Sequence, residues 1–127
     1  MHQIAIQLKS LEIYTHEAHH QTRGEAFFAD HEALNGFYDA YGDAYDKVIE
    51  RMIGLNVPVT EREINLKASA EVPTRTDWFA MLAEEEAELR EVISKEYLGA
   101  SIGTQNLLAQ LADDSEVRTY KINQRTR

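Results

Sequence analysis

Eight residues in the first half of this chain alternate by four and three positions without a break: Phe27, His31, Leu34, Tyr38, Tyr41, Tyr45, Val48 and Met52. Residues three and four apart stack on one face of an α-helix, so this run predicts a single long helix from about Glu25 to Ile53. A helix with one apolar face needs other elements to cover it, and the chain must therefore pack as helices.

The rest of the sequence supplies those partners. From about Gln3 to Gln21, Ile4, Leu8, Leu11, Thr15 and Ala18 form a second stripe at the same spacing. Thr22 with Glu25 three residues later fits a capping box, and Gly24 eases the turn between the two helices. A turn that short makes them antiparallel neighbours. Gly54 to Arg75 then forms a long connection holding both prolines, Pro58 and Pro73, with a short helix capped by Thr60 and Glu63 inside it. A third helix starts near Thr76 or Asp77 and runs to about Leu98, with Trp78, Leu82, Leu89 and Val92 inward and an acidic, mostly solvated face from Glu84 to Glu91. Gly99 stops it. The last helix begins between Ser101 and Thr104 and carries Leu107, Leu108, Leu111, Val117 and Tyr120. The expected fold is all-α, one domain over residues 1–127. Its pattern is that of a ferritin-like four-helix bundle, in which a long crossover joins helices 2 and 3.

Composition narrows the chemistry. The chain has no cysteine, so disulfides and thiolate zinc sites are excluded. No apolar run approaches the ~20 residues of a membrane span, and the N-terminus lacks a signal-peptide core, so cytoplasmic placement is expected. A net charge of −9 disfavours nonspecific nucleic-acid binding by the body of the protein. Arg118, Lys121, Arg125 and Arg127 nevertheless form a basic tail, which either offsets the dipole of a helix end or touches phosphate.

Four ligand-type side chains stand out: His19, His31, Asp46 and Glu50. Their nitrogen and oxygen donors suit iron, manganese or zinc. His19 lies about 20° around its helix from Leu8, and the antiparallel turn brings it level with His31. His31 and Asp46, by contrast, stand ~22 Å apart along one helix. One subunit cannot join them at a metal. A two-fold partner packed antiparallel would set His31 of one chain against Asp46 and Glu50 of the other, giving two identical interfacial sites. The competing account makes His31 a core residue and the acidic stripe Asp39, Asp43, Asp46 and Glu50 a solvated flank.

Other sites find less support. Glu17 to His20 is the only Glu-x-x-His tetrad, and no histidine follows His31, so an intrasubunit di-iron centre is incomplete. His16 and His20 are four apart without the H-E-x-x-H of zinc hydrolases, and are expected to be exposed or hydrogen-bonded. Neither a phosphate loop nor a nucleophile turn is present.

From His19 to Leu55 the sequence resembles Dps, the mini-ferritin that protects DNA in starved bacteria. The matching features are a His before a Gly and a Phe (His19, Gly24, Phe27), a second His twelve positions on (His31), an Asp fifteen further (Asp46) and an E-R pair four beyond (Glu50, Arg51). In the second half only Gly103 to Leu108 and Tyr120 look similar. The resemblance implies a homo-oligomer of four-helix subunits, built from dimers and usually a shell of twelve. It also implies ferrous oxidation by hydrogen peroxide at sites between two-fold-related subunits, with His19 and His31 from one and Asp46 and Glu50 from its mate. Arg51 either braces Glu50 or forms a surface ion pair.

Three departures qualify this. Asn35 stands where the family commonly has Asp, which would weaken a second iron. His20 replaces a frequent Trp. The chain is short, as in the small Dps-like proteins of phage genomes, and lacks a Lys-rich N-terminal extension, which leaves DNA binding to the basic tail. The alternative function is a catalytically inactive ferritin-like assembly protein, structural or associated with DNA.

Overall fold

The computed structural model describes residues 1–127 and is all-α. Five helices follow one another: α1 (His2–Gln21), α2 (Phe27–Gly54), α3 (Glu61–Glu71), α4 (Trp78–Tyr97) and α5 (Ile102–Thr126). None is long and apolar enough to cross a membrane.

Contacts between the helices give their directions. His19 of α1 meets His31 of α2, while Lys9 lies over the Tyr45 ring at 4.2 Å, so α1 and α2 run antiparallel. Between them Gly42 makes room for the Glu12 side chain: a Cβ there would lie 2.6 Å from its carboxylate. The Met1 amino group bonds Glu96, and Tyr14 packs on Trp78, so α4 is antiparallel to α1 as well. Glu86 meets Arg118, and Tyr97 meets Gln105, which sets α5 antiparallel to α4. Finally, Asp30 pairs with Arg125 and Arg51 reaches Thr104, so α5 is also antiparallel to α2. It follows that α2 and α4 point the same way. The chain between them must travel back along the molecule, and α3 lies on that path against α1.

The core consists of 25 buried hydrophobic residues from all five helices. Ile4, Leu8, Leu11, Thr15 and Ala18 are all buried on α1, and Leu34, Tyr41, Tyr45, Val48 and Met52 on α2. Phe27, His31 and Tyr38, from the same α2 stripe, are only half-buried. They lie toward its start, beside the end of α1.

Two of the expected helix ends and one expected helix face need correction. The Thr22–Glu25 capping box does not form, because α2 starts later, after Ala26, and Thr22 instead donates to the His19 carbonyl to close α1. Thr60 does begin α3, but through its backbone carbonyl rather than a side-chain cap. On α5, Val117 and Tyr120 face solvent, whereas Ser115, Arg118 and Ile122 continue the buried stripe from Leu108 and Leu111. A polar pair occupies core positions there, and hydrophobicity alone pointed one residue away. Ser101 caps α5 by accepting from the Thr104 amide.

Candidate metal centre

The last turn of α1 carries His16, His19 and His20, and the first turns of α2 carry His31 and Tyr38. The five-residue turn Thr22–Ala26 folds one end onto the other. Gly24 takes φ +84 within it, a left-handed conformation that costs glycine little.

The backbone then orients the rings. His31 Nδ1 lies 2.8 Å from the His19 carbonyl, and His19 Nδ1 lies 2.6 Å from the His16 carbonyl. A carbonyl only accepts, so both imidazoles donate through Nδ1 and keep the Nε2 lone pair free. Metal-binding histidines are commonly fixed in this way. The His19 and His31 ring centroids are 4.8 Å apart, with Phe27 stacked behind His31 at 5.2 Å. Sequence spacing placed these two residues together, and the structure does so.

Asp46 and Glu50 lie further along α2, both exposed, and neither enters an ion pair of the chain. Within one subunit they do not join the histidines. Glu50 lines an open hollow with Lys47, Arg51, Ser101 and Gly103. Arg51 does not brace it, since its guanidinium turns to the Thr104 hydroxyl at 3.4 Å. Asn35 is exposed one turn beyond His31.

The interior of the molecule offers no competing ligand set. Its one buried carboxylate, Glu86, accepts from Tyr41 at 2.6 Å, from Ser115 at 2.8 Å and from two nitrogens of Arg118. Those donors consume its lone pairs. Burial works against the Arg118 charge, yet the Glu86 carboxylate outweighs it and holds the guanidinium above its ordinary value. Glu86 departs from the mostly solvated acidic face that the sequence predicts for Glu84 to Glu91. Only its position one turn after Leu82 on the buried side marks it off. The same ion pair absorbs part of the basic tail, and Arg125 pairs with Asp30. Two cations of the basic tail are thus engaged by carboxylates of the same chain, and Arg125 alone of the two stands in the last turn of α5.

His16 and His20 are exposed, as expected, but are not isolated. Donor atoms of His16, His19 and His20 all lie within 4.8 Å of one another. His20 has a lowered pKa, from desolvation and then from the neighbouring His19, His16 and His31 rings.

No protein-family model matches this chain, and no curated protein sequence does either.

Proposed function

We propose that this chain is an iron-binding ferroxidase and iron-sequestering protein of the Dps type, with a ferritin-like bundle as its subunit. The observation that carries this is the His19–His31 pair, whose Nε2 lone pairs are both left free by backbone hydrogen bonds. The helix directions support the bundle: parallel α2 and α4, joined by a returning segment, have the connectivity of ferritin-like subunits.

In this proposal two subunits pack about a two-fold axis with their α2 helices antiparallel. His19 and His31 of one then share iron with Asp46 and Glu50 of its mate. Iron is the substrate. Imidazole holds the ferrous ion, and the incoming carboxylates favour the ferric product, because hard oxygen anions stabilise the higher charge. Each ferrous ion loses one electron. Two such electrons cleave the O–O bond of one hydrogen peroxide, whose oxygens leave as hydroxide or water. Oxidation consumes peroxide beside the metal, which would protect against oxidative damage, and the ferric product is stored as mineral.

Anaerobic ferrous titration followed by peroxide, with ferric absorbance and assembly mass recorded together, tests this. The wild type should bind iron saturably and oxidise it rapidly, and His31→Ala should abolish oxidation while leaving the assembly intact. If an assembled wild type neither binds nor oxidises iron, the chain is the inactive assembly protein instead.

A further inference from the structure

We infer that His16, His19 and His20 form a second metal site, a three-imidazole centre on the last turn of α1 for a zinc- or copper(II)-class ion. Three observations carry it. The donor atoms already lie within 4.8 Å of one another on one helical turn. A tetrahedral ion with ~2.0–2.1 Å bonds to nitrogen needs such atoms closer still, and the exposure of His16 and His20 leaves those two rings room to turn toward His19.

The second observation is that the cluster is held in place. Tyr38 stacks on His16 with ring centroids 4.6 Å apart and planes at 24°. His19 is fixed by its bond to the His16 carbonyl, which leaves Nε2 as its free donor nitrogen. His20 sits 4.2 Å from the His19 ring and 4.7 Å from that of His16.

The third is position. These rings lie at the C-terminal end of α1, where the helix dipole places partial negative charge and favours a bound cation. Acidic residues take no part in the cluster, and an all-imidazole set suits zinc, copper or nickel better than ferric iron. A vacant fourth position would be filled by water.

This site needs no second subunit and does not depend on the iron proposal. It does share His19 with the iron site, so if that proposal holds, zinc occupancy should slow iron oxidation.

Zinc binding by the full-length protein tests the inference, measured by competition with a chromophoric indicator. In an Asp46→Ala/Glu50→Ala background about one zinc per chain should remain, and adding His16→Ala/His20→Ala should weaken it at least tenfold, as loss of direct ligands costs no less than loss of their supports. Both histidines are exposed on a helix, so folding should be unaffected, and His16→Gln/His20→Gln provides a second variant. With copper(II) as probe, the electron paramagnetic resonance spectrum should show three imidazole nitrogens, and fewer in either variant. Unchanged zinc affinity, or no zinc bound by the Asp46→Ala/Glu50→Ala protein, would overturn the site. Wild-type iron oxidation by Asp46→Ala/Glu50→Ala would instead overturn the iron proposal and leave this one standing.

Discussion

At the scale of single residues, the most consequential side chain outside the histidines is Glu86. It is fully buried, and its carboxylate is paired with Arg118. Replacing it with Ala would strand the guanidinium in the interior, at a cost of ~3–5 kcal/mol. Denaturant unfolding should show that loss. A Glu86→Leu/Arg118→Met double variant should recover much of it, because breaking a buried pair costs more than removing it entirely. The Tyr41 hydroxyl belongs to the same network, and burial together with Glu86 pushes its pKa far up. Tyr41→Phe should cost less, about 1.5–3 kcal/mol for one hydrogen bond to a charged carboxylate. Nothing in the acidic run from Glu84 to Glu91 distinguishes this residue by type. Only its partners on α2 and α5 turn a surface acid into a core anion.

At the scale of elements, the turn from Thr22 to Ala26 decides the geometry of the histidine cluster. A Cβ at Gly24 would meet nothing within 4 Å, so Gly24→Ala suffers only the backbone penalty at φ +84, about 1–2 kcal/mol. Thermal melts should register that loss, and metal affinity should fall with it if the turn sets the approach of His19 to His31. Ser101 is a second device of this size. Its side chain caps α5 at 3.5 Å, a long bond, so Ser101→Ala should cost about 0.5 kcal/mol, at the weak end of capping effects. The sequence made the α5 cap legible, since Ser before a periodic run is a known helix start. It misled at α2, where Thr22 and Glu25 have the spacing of a capping box but Thr22 is recruited to finish α1.

At the scale of the whole molecule, the iron proposal makes a claim that no single subunit can satisfy. Donors from one chain would meet acceptors of charge from another, so defects on opposite sides should complement. Subunits carrying His31→Ala and subunits carrying Asp46→Ala/Glu50→Ala should each fail to oxidise ferrous iron. Reassembled together, they should regain activity, since one of the two interfacial sites in a mixed dimer keeps all four residues. Continued inactivity of a verified mixed assembly would sink the shared site.

What the sequence determined by itself follows from periodicity and local chemistry. The helical class, the buried stripes of α1 and α2, the position of α3 and the meeting of His19 with His31 are set by residues close in the chain and by one short turn. The tertiary structure alone decided the rest. Arg118 and Glu86 became a core pair, Val117 and Tyr120 turned outward, and His16 with His20 joined His19 in one cluster. Each outcome depends on what faces a side chain from another helix or on how its rotamer settles, and neither quantity is encoded in the spacing along a single strand of sequence.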